Sequence, residues 1–172
     1  MVIQIGTREK PDVIKNIIAE FDKQGIKYFR SKLHVGDYTS LDNPRLAIDR
    51  KHNLAELCAN TSDVPKKDSQ GHFKRYPNGE LETELKRFTD ELKRANDIGI
   101  KLVVLCEHGG KIKTLSDVAN WKNPRLKESP LAVSGERLYK KLYMISKNYG
   151  VDFVFCDKRN TGKKIIELLG GK

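Results

Sequence analysis

A short β-prone run at residues 2–5 opens the chain and closes at Gly6. Pro11 suits the first turn of a helix. Val13, Ile14, Ile17, Ile18 and Phe21 then recur at three- and four-residue spacing, predicting a helix to about Lys23 that stops near Gly25. Residues 27–29 read as a second strand, and residues 32–40 as a third in which Leu33 and Val35 alternate with Lys32 and His34. Turn residues fill positions 41–45, and 46–50 returns as a fourth strand. Asn53 is placed to cap a short helix running to about Ala59. Residues 61–80, rich in Ser, Asp, Lys, Gly, Pro and Asn, read as a long mobile loop, and loops of that length inside a domain are functional or disordered. Leu81, Leu85, Phe88 and Leu92 mark a helix over 80–96, broken by Gly99. A buried strand at 101–106 leads into an irregular basic stretch, 111–130, with a short helix near 116–121. Ser134 caps a helix over 135–148 that Gly150 ends, and a strand at 151–156 and a helix at 162–169 complete the chain. The resulting order, β-α-β-β-β-α-α-β-α-β-α, has an antiparallel hairpin early and βαβ crossovers late. It predicts one α/β domain with a central mixed sheet flanked by helices. No repeat of fixed period stands out.

At 172 residues and 38 % hydrophobic, the chain has enough apolar side chains for one core. Charged residues make up 33 %, above the usual share of about 25 %, but the periodic apolar runs exclude disorder of the whole chain. The formal charge is +10 and is unevenly spread: residues 111–149 hold nine basic and three acidic side chains. Such a balance points to a polyanionic partner, nucleic acid first and a membrane surface second. No apolar run is long enough to span a bilayer, and the N-terminus lacks the basic, apolar and cleavage regions of a secretory signal. The three cysteines, Cys58, Cys106 and Cys156, are odd in number and far apart, which suits buried thiols in a reducing compartment and a cytoplasmic location.

The candidate chemistry lies in the predicted hairpin. Asp37 stands six residues before Asn43 and Asp49 six residues after it, so a register symmetric about Asn43 sets the two carboxylates face to face. Like charges directly opposite destabilise a sheet unless a cation relieves them, and paired carboxylates are the oxygen ligands that Mg²⁺ prefers. Strand alternation puts Lys51 on the face of Asp49. Two acids and an ammonium suit phosphodiester hydrolysis: a metal polarises the phosphate and acidifies a water, and the lysine orients that water or neutralises developing charge. An Asp-x-Lys triplet by itself arises often by chance and marks an exposed strand end. Other motifs fail. Residues 160–164 lack the first glycine and the Ser or Thr of a P-loop, and Cys106-x-His108 has no second ligand pair at zinc spacing.

The surroundings of the triplet resemble a known family. Val35-Gly36-Asp37-Tyr38 followed by Ala47-Ile48-Asp49-Arg50-Lys51 resembles the Gly-Asp-Tyr … Glu-Arg-Lys signature of the XPF-type nuclease domain, a branch of the PD-(D/E)xK restriction-like superfamily found in XPF and archaeal Hef structure-specific endonucleases. Thr7-Arg8-Glu9 is similar to that family's early Asp-x-Arg-Glu, and Arg94 with residues 102–107 to its Arg-Leu helix and following strand. Residues 149–169 resemble its final strand and helix. The likeness spans nearly the whole chain, with the central motif its specific part. Gly6 and Ala55 stand where the family has aspartates, with Glu56 adjacent as a replacement, and Asp49 stands for its first signature glutamate. No helix-hairpin-helix region, the family's companion module, is expected, and 61–80 and 111–134 look like inserted loops.

The resemblance implies a three-layer restriction-endonuclease-like fold and a Mg²⁺- or Mn²⁺-dependent DNA endonuclease acting on branched or structured DNA, in repair or recombination. Asp37 and Asp49 would ligate the metal and, with Lys51, form the catalytic set; Arg8, Glu9, Arg50 and Glu107 would support it. Lys66, Lys67, Lys74, Arg75, Lys111, Lys113, Lys122 and Lys127 would hold phosphates, contributing affinity without sequence information. A homodimer is carried as a further assembly. The loss of acids at Gly6 and Ala55 motivates an alternative, a catalytically silent DNA-binding or scaffolding relative. An RNA-binding module finds little support, because no aromatic stacking motif of the RRM kind is present.

Overall fold

The computed structural model describes residues 1–170. Among the described residues, strands β1 (Val2–Gly6), β2 (Lys27–Ser31), β3 (Tyr38–Ser40), β4 (Asn43–Lys51), β5 (Lys101–Glu107) and β6 (Asp152–Cys156) form one sheet in the order β2-β1-β3-β4-β5-β6. β1 runs parallel to β2, β3 runs antiparallel to both β1 and β4, and β4, β5 and β6 are mutually parallel. Helices α1 (Lys15–Lys23) and α5 (Thr161–Leu168) pack on one face over Ile3, Ile5, Tyr38, Ile48 and Leu105. Helices α2 (Leu54–Asn60), α3 (Glu84–Asp97) and α4 (Gly135–Tyr149) cover the other over Ala47, Leu102, Val104 and Cys106. The three layers follow from strand alternation: neighbours on β4 and β5 go to opposite cores. β5 is buried on both faces, which is why it reads as an unbroken apolar run. The order of elements is the predicted one. No helix among the described residues is long and apolar enough to cross a membrane.

Element boundaries differ where local chemistry intervenes. The first helix begins at Lys15 rather than near Pro11, because the backbone N–H groups of Val13 and Ile14 both turn onto the Lys10 carbonyl. The third strand shrinks to Tyr38–Ser40, since Gly36 adopts a left-handed φ of +67° that ends the extended run. α3 starts at Glu84, where the Thr83 hydroxyl accepts the Lys86 N–H. Asn53 caps α2 as its position predicts, its side chain accepting from Glu56 N.

Residues 61–80 read as a mobile loop in the sequence; residues 66–82 instead fold into two consecutive hairpins. Lys67 pairs with Phe73 and Arg75 with Leu81, and the Lys66 N–H to Glu82 O bond closes the base at 2.8 Å. The pairings recur eight residues apart, so this segment does carry a short repeat. Residues 111–134 are likewise anchored: Ile112, Val118 and Trp121 are buried, and 3-10 turns form at Ser116–Asn120 and Pro124–Lys127. α4 seats closely on this segment at Gly135, where an added Cβ would lie 2.4 Å from Trp121 O and 2.6 Å from Val118 O. Gly135→Ala is therefore expected to cost about 1–3 kcal/mol through overpacking, read from urea unfolding. An unchanged midpoint would mean that this segment is not a fixed part of the core.

Candidate active site

β1, β4 and β5 point the same way, so their C-terminal ends converge, and β3 enters the same edge with its N-terminal end. Loops beyond such strand ends are where α/β sheets gather ligands. Arg8, Glu9, Asp37, Asp49, Arg50, Lys51, His52, Glu56, Asn60, Arg87 and Glu91 line a cleft of about 260 Å³ there. The wider depression beside Trp121, Pro124 and Leu126 has no comparable set of charges.

Asp37 meets Asp49 across the strands as anticipated. Tyr38 pairs with Ile48 and Thr39 with Ala47, but an irregularity then pairs Ser40 with Asn43. The turn is thus tighter than expected, while the register beyond it is symmetric about Asn43 as expected and carries Asp37 opposite Asp49. Asp37 N donates to Ile48 O at 2.7 Å, and Arg50 N donates to Asp37 Oδ2 at 3.0 Å.

The charges are divided between the two faces of β4. Asp49 and Lys51 turn toward α3. Lys51 Nζ donates to Asp49 Oδ1 at 2.9 Å and lies 2.8 Å from Oδ2, with the Phe88 ring 5.9 Å away. Arg50 turns to the opposite face, where Nε and Nη2 grip both oxygens of Glu9 at 2.7 Å and Nη1 donates to Glu107 Oε1 at 2.9 Å. The Tyr38 hydroxyl adds a bond to Glu9 Oε1. Glu107 is withdrawn under Arg50 and does not line the cleft. Glu56 does line it, its Oε2 accepting the His52 N–H at 2.7 Å.

Glu91 was invisible to the sequence reading. It sits on α3 beside Phe88 and Leu92, buried, and its Oε1 accepts the Gly36 N–H at 3.2 Å. Arg8 Nη2 lies 3.6 Å from that oxygen, donates to Gly36 O at 2.9 Å and reaches Asp37 Oδ1 at 3.5 Å. Arg8 and Glu91 thus hold the peptide preceding Asp37 from both sides. Gly36 has no alternative residue here, because a Cβ would lie 2.9 Å from Ile48 O. On an amphipathic helix a Glu beside the apolar stripe reads as solvated; its only sequence signal is that it flanks Phe88 and Leu92 at a position the stripe would bury.

These neighbours set the protonation of the acids. Burial, then the charge of Asp49, pushes Asp37 up to about 7, against the Arg50 N–H and Arg8. Burial also raises Asp49, with Lys51 pulling it back and Glu91 adding to the rise. Lys51 is itself raised: burial works against its charge, but Asp49, Asp37 and Glu56 outweigh it. Both Asp49 oxygens lie within 2.9 Å of Lys51 Nζ, whereas the buried Glu107 Oε2 has no hydrogen-bond donor among the described residues. No three ligand-type side chains converge among those residues. Two buried carboxylates facing one cleft fit a hard cation such as Mg²⁺ or Mn²⁺, which keeps waters and takes phosphate oxygens for its remaining positions.

The basic residues expected to hold phosphates lie outside the cleft wall. Lys111, Lys113, Lys122 and Lys127 are exposed on the segment before α4, with no acidic partner among the described residues. Lys66, Lys67, Lys74 and Arg75 belong to the twin hairpins. One ion-pair chain links hairpin to cleft: Lys66 to Glu84 at 2.8 Å, and Glu84 to Arg87 at 2.7 Å.

The chain matches the ERCC4 domain over residues 5–169. Its fold is similar to XPF from Aeropyrum pernix (TM-score 0.60, 14 % identity, covering 98 % of this chain and 63 % of that one). It is also similar to XPF from Aeropyrum pernix in complex with DNA (TM-score 0.58, 14 % identity, 98 % and 62 % covered). This chain therefore spans under two thirds of those proteins. Among curated proteins, none matches in sequence. The resemblance to an XPF-type nuclease domain and the restriction-like three-layer fold expected from it are both borne out.

The metal-free site has a testable consequence. An aspartate with a folded pKa near 7 against an ordinary 3.8 makes the fold bind that proton more tightly than the unfolded chain does. Stability then falls as pH rises from about 4 to about 7 and is level above. Asp37→Asn should raise the melting temperature in chelator, by an amount that grows over that interval and plateaus beyond it. A variant that melts below the parent at every pH would make Asp37 a structural residue.

Proposed function

We propose that this chain, which belongs to the ERCC4 domain family, is a divalent-metal-dependent DNA endonuclease acting on branched or otherwise structured DNA. The observation that carries the reading is the Asp37–Asp49 pair at the converging strand ends, with Lys51 Nζ within 2.9 Å of both Asp49 oxygens. The solved complex of XPF from Aeropyrum pernix with DNA supports DNA as the polymer.

In this reading Asp37 and Asp49 would hold Mg²⁺ or Mn²⁺, which when bound would polarise the scissile phosphate and acidify a water. Lys51, kept charged by Asp49, donates toward that water or toward the charge that builds on phosphorus. The water oxygen bonds to phosphorus and releases its proton to solvent, the bond to the leaving oxygen breaks, and that oxygen takes a proton from solvent. Arg87, half-exposed at the rim, binds a neighbouring phosphate. Arg50 makes no contact with substrate; its task is to neutralise Glu9 and Glu107 behind the strand. Lys111, Lys113, Lys122 and Lys127, with the hairpin cations, attract the DNA backbone. The alternative of a silent DNA-binding relative is favoured by Gly6 and Ala55 and by the lack of a three-ligand cluster among the described residues. Cleavage of a branched substrate with Mn²⁺, beside binding in EDTA, separates the two.

Asp49→Ala and Lys51→Ala divide the proposed roles. Metal titration by calorimetry is run at alkaline pH, because the charge of Lys51 also helps Asp49 ionise. Asp49→Ala should lose metal affinity and regain part of its activity in excess Mn²⁺. Lys51→Ala should keep metal affinity and lose about 10²–10⁴-fold in turnover, with no recovery by any cation. Equal loss of metal affinity in both would overturn this division, and normal cleavage by both would place the chemistry elsewhere.

Replacing Lys111, Lys113, Lys122 and Lys127 with Gln should weaken DNA binding equally across sequences. Each lost phosphate contact should lower the log–log salt slope by roughly 0.9 for duplex DNA. An unaltered slope would make this segment a solvated face.

A further inference from the structure

The twin hairpins are built on an eight-residue repeat. Residues 66–73 read Lys-Lys-Asp-Ser-Gln-Gly-His-Phe and residues 74–81 read Lys-Arg-Tyr-Pro-Asn-Gly-Glu-Leu, agreeing in a leading basic pair, a sixth-place glycine and a final large apolar residue. Each octet folds alike. Gly71 and Gly79 take left-handed φ of +87° and +83°, donating to Asp68 O and Tyr76 O. Asp68 N donates to His72 O and Tyr76 N to Glu80 O, both at 2.9 Å.

The octets nevertheless meet different surroundings. Both are tied to α3, the first at its leading Lys66, 2.8 Å from Glu84, but the second packs more of itself there: Lys86 pairs with Glu80 at 2.9 Å and lies over the Tyr76 ring, and Leu81 is half-buried. The first is the outer one. Its apolar residue, Phe73, stays 53 % exposed, with Lys67 Nζ 5.1 Å from its ring centroid and Lys74 next in the chain. Neither lysine has an acidic partner among the described residues. The base of the arm leaves from the end of α2 and rejoins at the start of α3. Asn60 on α2 and Arg87 on α3 line the cleft, so the arm is rooted on its rim at both ends.

We propose that this outer hairpin is a stacking platform for an unpaired nucleobase of DNA, with Phe73 taking the base and Lys67 and Lys74 the adjoining phosphates. The inference rests on the nuclease reading, since it is the cleft beside the arm that brings DNA there. A ring on a protruding hairpin cannot reach the face of a base inside a duplex, because neighbouring pairs cover it; it can reach one that is unstacked. An arm so placed would favour substrates with single-stranded DNA beside the cleavage point, which duplex-wide phosphate contacts cannot select.

Phe73→Ala and Phe73→Trp test it. Affinities for an oligo(dT) strand and for a blunt duplex of equal length are measured by anisotropy in EDTA, where no cleavage occurs. Phe73→Ala should bind the strand about 5- to 100-fold more weakly, with duplex affinity within about twofold of the parent. Phe73→Trp should bind the strand as the parent does. Because the one native tryptophan, Trp121, is buried, the introduced ring should also report stacking by fluorescence quenching on adding oligo(dT). Unchanged strand affinity in Phe73→Ala, or equal losses on strand and duplex, overturns the proposal. A parent protein that cleaves DNA while Phe73→Ala binds the strand normally refutes the platform alone. A parent that binds neither DNA and cleaves none with Mn²⁺ refutes the nuclease reading as well.

Discussion

Two carboxylates brought together at the buried end of a strand pair repel each other and lose their hydration, and the rest of the site is arranged around that cost. Asp37 receives the Arg50 N–H and the distant pull of Arg8; Asp49 receives Lys51. Neither is fully compensated, since Asp37 remains near 7 and burial still raises Asp49 against the pull of Lys51. The pair must therefore hold a proton near neutrality or meet a cation. A residual penalty of this kind, retained by an otherwise well-packed fold, belongs to sites where strain serves binding. On the back of β4 the logic is reversed. Arg50 is enclosed by Glu9, Glu107 and Tyr38, and removing it would leave two buried carboxylates uncompensated, a loss typically of about 3–5 kcal/mol.

Topology makes this division possible. Because β3 runs opposite to both its neighbours, β1 and β4 are parallel, and their ends deliver Glu9 and Asp49 to one edge while β3 delivers Asp37 by its beginning. Strand alternation then sends Asp49 and Lys51 toward α3 and Arg50 toward the face of α1 and α5. A single strand thus supplies both charges that face the cleft and the counter-charge that stabilises the loop after β1. Packing of Phe88 near Lys51 and of Glu91 on the Gly36 amide makes α3 the second wall of the cleft.

What was legible in the sequence had period two or period 3.6. Alternation gave Lys51 the side of Asp49, apolar stripes gave the helices, and the order of elements implied the mixed sheet. The Asp37–Asp49 opposition follows from the register symmetric about Asn43, which Tyr38–Ile48 and Thr39–Ala47 keep; the irregularity at Thr39 and Ser40 that accommodates the shorter turn is one that no propensity rule places. Glu91 acts across 55 residues on the Gly36 amide, a contact only tertiary packing creates. The hairpin repeat was hidden because only its glycines, basic pairs and closing apolar residues agree, and two copies make a weak period. Its signal was the matched Gly71 and Gly79, whose positive φ marks two like turns.

Charge connects the cleft to what lies outside it. Five acids against four permanent cations line the cleft, so without a bound cation it does not attract a polyanion. The attraction has to come from elsewhere, and the excess of positive charge lies on residues 111–149. α2 stands between the two regions. Glu56 and Asn60 face the cleft, while Ala55, Cys58 and Ala59 border the depression shared with Asn123, Arg125 and Leu131. A backbone held on the basic segment would thus pass α2 to reach the acids, and the proposed divalent cation would reverse the local sign at the point of arrival. Under the proposed function, separating capture from chemistry in this way would let the acids stay close enough to share a metal, while long-range attraction would rest on lysines whose charge burial never touches.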